Sequence, residues 1–390
     1  MRKIMVTLAV MVSAAGIRAQ AIDETLNLIE QNNLELQALK QQVEAAKLEV
    51  QTENSLDDPS VEYSPFFTKG TSGMATSELV VTQGFDFPTL YAARHSAGKY
   101  RQEALKKEYE AERRELLLSA KNLCLDLIRL NQENDLIAER LRCAEELLSL
   151  FEKRLDEGDV SILDVNKIKM KRMDLKAEQA ANNAKHREAL QKLLAMNGNL
   201  PLEFTADSYP VVEGHADLNM LMDEVMTTDA SLQAANATLV AAQKEVSISK
   251  QGWLPKFEVG YRRNTEFDEK FNGFLVGGSL PIFTNRKKTK IAKAQALSAQ
   301  LMLDDARLKA QAEVQTAVNA IRQTEEALAV YDLPLMKSTV DLLYKAVSEG
   351  QISIIEYYSE ADDVYENMTS RMEIECEYHK LLAAAYKHRL

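Results

Sequence analysis

The chain repeats itself, and no other feature constrains its fold as much. Leu36-Gln37-Ala38 returns as Leu232-Gln233-Ala234, 196 positions later. Ala45-Ala46, Glu49-Val50 and Pro59 return as Ala241-Ala242, Glu245-Val246 and Pro255 at the same spacing, with no gap. Phe87-Pro88 matches Leu280-Pro281 at a spacing of 193. Gly158-Asp159-Val160-Ser161-Ile162-Leu163-Asp164 matches Gly350-Gln351-Ile352-Ser353-Ile354-Ile355-Glu356 at 192. Two copies of one plan therefore cover residues 22–200 and 217–390, joined by a Pro- and Gly-bearing link over 201–216.

Each copy carries the same succession of periodicities. Ile22 to about Asn54 has apolar residues at threes, fours and one seven, a helix that Asp57-Asp58-Pro59 ends. A β-hairpin is expected at about 59–88. Val61 and Tyr63 alternate with polar neighbours, and Leu79, Val81, Phe85 and Phe87 fall on one side with Gln83 the exception. The second hairpin, about 255–281, sets Phe257, Val259, Tyr261, Phe274, Val276 and Leu280 against Lys256, Glu258, Gly260, Arg262, Leu275, Gly277 and Ser279. From about Leu90 to Leu155 helical sequence spans about 100 Å at 1.5 Å per residue. It carries a heptad seam, Leu116, Ala120, Leu123, Leu127, Leu130, Asn134, Ile137, Leu141, Ala144, Leu148, Phe151 and Leu155, in which Asn134 alone is polar. Asp156-Glu157-Gly158-Asp159 signals a turn, and helical sequence resumes to about Met196. Helical hairpins are thus expected at about 90–196 with a tip at Gly158, and at about 286–388 with a tip at Gly350. The fold class is mainly α with a small transmembrane β part: a duplicated helix–β-hairpin–long helical hairpin.

Bulk properties agree and exclude alternatives. Only 14 Gly and 8 Pro in 390 residues suit a helical protein, and a net charge of −12 argues against a nucleic-acid partner. Three cysteines, Cys124, Cys143 and Cys376, sit in helical pattern and offer no disulfide framework. Arg2 and Lys3, the apolar run Ile4 to Ile17, and small residues at Ala19 and Ala21 read as a secretory signal peptide over 1–21. No other stretch is apolar enough for a membrane helix, so entry into a membrane must use strands. Each copy has two strands of nearly the length a tilted membrane strand needs, apolar on one side and polar or Gly on the other. Four strands do not close a barrel; several chains contributing four each would.

With the leader, the paired Leu-Gln-Ala and Ala-Ala matches, Trp253-Leu254-Pro255, the strand-ending Phe87-Pro88 and Leu280-Pro281, and the Gly158 and Gly350 turns in this order, the chain resembles the TolC-type outer-membrane factors over nearly its whole length. Pro334, sixteen residues before Gly350, fits the branch serving metal and drug pumps of the RND type. The resemblance implies a homotrimer in the outer membrane of a Gram-negative bacterium, with a 12-stranded β-barrel continued by a periplasmic α-helical barrel. It implies a passive exit duct for efflux, a periplasmic adaptor (membrane fusion) protein at the tips, and an inner-membrane pump of RND or ABC type behind it. Arg154, Leu155, Gly158, Val160, Gly350 and Ile352 are then the tip and docking residues. Ile352 stands where some members carry a latching Arg, so an Arg latch is not expected there. Asp164 and Glu356 lie six residues after each Gly, and Glu356, Glu360 and Asp363 share a helix face. Repeated around a trimer axis, these four acids form an acidic gate that favours cations.

Basic residues Arg94, His95 and Lys99, and Arg286, Lys287, Lys288 and Lys290, follow the two β-hairpins as candidates for the lipid-phosphate rim. Met170 and Met173 lie one helical turn apart and are expected to pack. The five His lack metal-ligand spacing, and no nucleophile elbow, phosphate loop or paired-Cys motif appears, so no cofactor, metal or enzymatic activity is expected. The competing functions are the outer-membrane channel of type I protein secretion, and a periplasmic coiled-coil adaptor or scaffold. An adaptor would have one hairpin flanked by β-rich modules, and a scaffold has no use for amphipathic strands at the same place in each copy.

Overall fold

A computed structural model describes residues 21–67, 74–211, 217–266, 269–281 and 287–390. The signal peptide apart from Ala21, the loop 68–73, the link 212–216 and Arg286 lie outside the described residues. Helix α1 covers 21–32 and α2 Leu34–Thr52; β1 (Ser60–Phe66) and β2 (Thr76–Phe85) follow, then α3 (Pro88–Glu157) and α4 (Ile162–Met196). The second pass is α5 (Leu218–Thr228), α6 (Ala230–Gln251), β3 (Lys256–Glu266), β4 (Glu269–Ser279), α7 (Lys288–Ala329), α8 (Leu333–Ser348) and α9 (Ile354–Ala385), ending in a 3-10 turn at Lys387–Arg389.

Two helices are broken where periodicity alone reads them as continuous. The first helix stops at Asn33, whose side-chain oxygen accepts the Leu36 N–H at 2.9 Å and so caps α2. Its amide donates to the Met196 carbonyl at 2.8 Å, tying the break to the end of α4. In the second pass Asp229 does the same capping, accepting the Leu232 N–H at 2.9 Å. The amides of Gln37 and Gln233 then reach back to the Gln31 and Thr227 carbonyls, each at 2.9 Å. The triplets that announce the repeat are therefore the first turn behind a helix cap. The other break separates α7 from α8: Asp332 accepts the Leu335 N–H at 3.0 Å, and Pro334, which lacks a donor, sits in the first turn of α8.

The described residues form two compact units, each drawing on both passes. One comprises Leu39–Ala111 and Met226–Ala310 and holds the sheet. The strands are antiparallel in the order β1-β2-β3-β4. Val61 pairs with Val81, Val81 with Tyr261, Tyr261 with Phe274, and Val259 with Val276. Directly opposed residues point to the same side, so the apolar sides of all four strands coincide on one face. That face is open, with Phe274 94% and Val276 83% exposed. The other face carries Arg262, paired with Glu78 at 3.0 Å. Gly260 is required here, because a Cβ would sit 2.5 Å from the Val81 carbonyl oxygen. At the sheet's base nearly buried Asp86 takes Arg94 at 2.7 Å and Lys256 at 3.3 Å. Arg94 is thus engaged by protein.

The other unit comprises the described part of Met1–Ala38, with Glu112–Val225 and Gln311–Leu390. One of its cores gathers Ile22, Leu26 and Ile29 of α1, Leu117 to Leu130 of α3, Leu193 of α4 and Cys376 of α9. Residues 201–211 run extended across it with strict alternation: Leu202, Phe204 and Ala206 enter the core while Glu203, Thr205 and Asp207 face out. The second core holds Leu147, Leu148 and Phe151 of α3, Val165 and Ile168 of α4, Val340 and Val347 of α8, and Ile354, Tyr357, Tyr358 and Tyr365 of α9. The face α3 buries is wider than the heptad seam. Cys124, Leu125 and Ile128 lie off the seam and are buried, while Leu116, Leu123, Asn134, Leu141 and Leu155 on it are only half-buried. A helix that meets neighbours on more than one side needs more than the a and d positions.

Candidate functional site

The two hairpin turns lie in one unit and are built alike. At the first, the Gly158 N–H bonds the Leu155 carbonyl at 3.0 Å and the Asp159 N–H the Arg154 carbonyl at 2.8 Å. At the second, Gly350 bonds Val347 at 3.1 Å and Gln351 bonds Ala346 at 2.8 Å. Both are Schellman endings, with φ of +83° at Gly158 and +77° at Gly350, a region that penalises any Cβ. Three residues on, Ser161 and Ser353 start the return helices with capping boxes. Asp164 accepts from the Ser161 N–H, and Glu356 from the Ser353 N–H, each at 2.9 Å. The signal, Ser-x-x-Asp and Ser-x-x-Glu, stands in the sequence and accounts for an acid six residues after each Gly. Donation from the Ser353 backbone also lowers the pKa of Glu356.

The predicted docking residues fall into two sets. Leu155, Val160 and Ile352 are half-buried against the tip core rather than free. Arg154 stacks over Phe151 and donates to the Ser348 carbonyl at 2.6 Å, joining one turn to the other. A cleft of about 350 Å³ opens there, lined by Arg154, Val160, Asp164, Gly350 and Ile352 among others. Gly158 and Gly350 are exposed, and a Cβ on Gly158 would meet nothing within 4 Å. The apolar groups that face outward in the first turns of α4 and α9 are Ile162, Leu163 and Ile355; Leu163 and Ile355 are equivalent residues, whereas Ile354, the equivalent of Ile162, is buried, a difference that sequence pattern alone does not show.

Of the four acids, Glu356, Glu360 and Asp363 share an exposed face of α9, while Asp164 is half-buried on α4. Glu360 and Asp363 have no ion-pair partner among the described residues. Their neighbour Asp362 behaves differently: it takes Lys171 at 2.6 Å and Arg140 at 3.5 Å. Arg140 also pairs with Glu178 at 3.2 Å and lies over the Tyr365 ring at 4.7 Å. An Arg-based tie between the hairpins is thus present, but it starts from α3 rather than from position 352. Nothing in local spacing marks Asp362 off from Asp363; only packing decides which one turns inward. Met170 and Met173 are exposed on α4 and do not pack within the chain.

Strands with one apolar, uncovered face, carried on a chain whose long helices end in two matched tips, define a membrane-anchored helical duct. The family model described as outer membrane efflux protein matches residues 25–199 and 221–339. The chain belongs to that family, and it is an exit duct for efflux in the outer membrane of a Gram-negative bacterium, continuing into the periplasm. Solved structures share its fold. A membrane protein from Pseudomonas aeruginosa matches with a TM-score of 0.76 at 17% identity, covering 94% of this chain and 90% of that one. The CmeC outer membrane channel of Campylobacter jejuni matches at 0.74 and 14%, covering 94% and 85%. The outer membrane protein VceC of Vibrio cholerae matches at 0.72 and 17%, covering 95% and 96%. Comparison with curated protein sequences finds no match.

Proposed function

We propose that three copies assemble into one passive duct, without catalysis of its own, that takes substrate from an inner-membrane pump through a periplasmic adaptor docked at the tips. The observation that carries this reading is the sheet: four strands present one apolar face, and β1 and β4 each have a neighbour on one side only. Three such sheets joined edge to edge give twelve strands, enough for a closed barrel with no open edges. At the tips, Arg154, Leu155, Val160 and Ile352 form the frame, Gly158 and Gly350 the clearance, and Leu163 and Ile355 the apolar contact for the adaptor. The gate is formed by Glu360 and Asp363, with Glu356 and Asp164 contributing charge while they cap their helices.

Outer-membrane fractionation with unheated and heated gels tests the assembly. A heat-sensitive species of three times the chain mass is expected in that fraction. A monomer, or a purely soluble protein, would overturn the reading. In planar bilayers the assembled protein should prefer cations, and Glu360→Gln with Asp363→Asn should reduce that preference. Unaltered selectivity would leave those acids as a solvated face.

A further inference from the structure

The two passes treat their basic residues differently below the sheet. In the first, Asp86 holds Arg94 at 2.7 Å, and Arg101 is held by Glu53 at 2.5 Å and Glu245 at 3.1 Å. In the second, Lys287, Lys288, Lys290 and Lys293 crowd the start of α7, all exposed and without an ion-pair partner among the described residues. Lys250, in the last turn of α6, is exposed as well. No acidic residue stands between Glu269 and Asp304, in a chain whose net charge is −12. Cations in the first turn of a helix oppose its dipole, so helix stability does not account for them.

Contacts fix the level of these lysines. The Thr289 hydroxyl donates to the Ser249 carbonyl at 3.3 Å, and the Thr89 hydroxyl to the Gln251 side-chain oxygen at 2.9 Å. The starts of α7 and α3 therefore stand beside the last turn of α6, just before the base of β3. Trp253, the one tryptophan of the chain, lies between that turn and the strand and is 69% exposed. At the foot of the apolar face Phe87 and Phe257 meet, with ring centroids 6.0 Å apart. The order along this edge is apolar strand face, aromatic rings, then unpaired lysines. A membrane boundary has the same order of hydrocarbon, interface and headgroup charge. Cations left without protein partners favour lipids whose headgroup is net negative over zwitterionic ones.

We propose that Lys287, Lys288, Lys290 and Lys293, with Lys250 beside them and Trp253 above, form a docking surface for anionic phospholipid headgroups in the periplasmic leaflet of the outer membrane. This rests on the membrane-facing reading of the sheet and adds a lipid preference to it. The test places the assembled protein in bilayers of phosphatidylglycerol and phosphatidylcholine, with one lipid at a time carrying brominated chains. Bromine quenches a tryptophan that it touches, so Trp253 reports which lipid lies at this edge. Brominated phosphatidylglycerol should quench more, with an apparent preference of about fivefold or more, the contribution of a single lysine near a charged lipid surface. The preference should fall to about one in roughly 1 M salt, which screens charges beyond about 3 Å. It should fall likewise in the combined variant Lys287→Gln, Lys288→Gln, Lys290→Gln and Lys293→Gln; the salt arm needs no variant. Equal quenching by both lipids, no quenching by either, or a preference that survives the salt or the variant overturns the docking surface while the membrane-facing sheet stands. Protein that does not float with the vesicles overturns both.

Discussion

Gly158 and Gly350 separate two costs that a substitution usually mixes. Both hold a positive φ, yet a Cβ on Gly158 enters open space. Gly158→Ala should therefore lower stability by about 1–2 kcal/mol through backbone strain alone. Gly158→Trp should cost a similar amount in thermal unfolding while abolishing adaptor cross-linking, with trimers intact; unchanged cross-linking and transport would remove the tip from docking. The capping serines allow a similar separation. Ser161→Ala and Ser353→Ala should each cost about 1 kcal/mol, measured by thermal or denaturant unfolding. Glu356→Gln keeps an acceptor for the cap and removes only the charge, so any loss of cation selectivity in that variant reports the gate and not the fold.

Among the elements, the extended segment 201–211 illustrates what sequence hides. Its two prolines and polar residues read as a link, and only the period-two burial of Leu202, Phe204 and Ala206 makes it part of the core. It is closed by Tyr209, whose ring stacks on His379 of α9 at 4.4 Å. Burial, helped by Lys121, lowers the His379 pKa from 6.5 to about 4. A depressed histidine pKa means that the unfolded chain binds the proton more readily, so the segment loses stability as pH falls from about 6.5 to about 4. Given that the ring is partly accessible, about 1–3 kcal/mol is expected. His379→Phe keeps the stack and should flatten the dependence of melting temperature on pH across that window; an unchanged slope would place the acid sensitivity elsewhere. The helix breaks were legible in part. Asp332 before Leu333-Pro334 is a readable start signal; at Asn33 the apolar series skips from Ile29 to Leu36, but the anchor of the break, the Met196 carbonyl 163 residues away, is not local.

For the whole molecule, sequence showed the duplication, both turns and the two-sided strands, because each depends on neighbours within a few residues. It did not show which strand follows which in the sheet. That order arises because β2 pairs with β3 across nearly two hundred residues, putting the two apolar faces on one side. Such an exposed face makes sense in lipid, where apolar groups need no cover and a charge at mid-depth costs about 2–4 kcal/mol. Val276→Arg should therefore reduce the heat-sensitive trimer in outer-membrane fractions. Gly273→Glu, one turn of the pleat away on the other face and opposite Arg262, should leave it intact, because a Cβ there meets nothing within 4 Å. The comparison isolates sidedness from mere disruption of β4. If both variants assemble equally well, the apolar face does not meet lipid, and the barrel built on it fails with it.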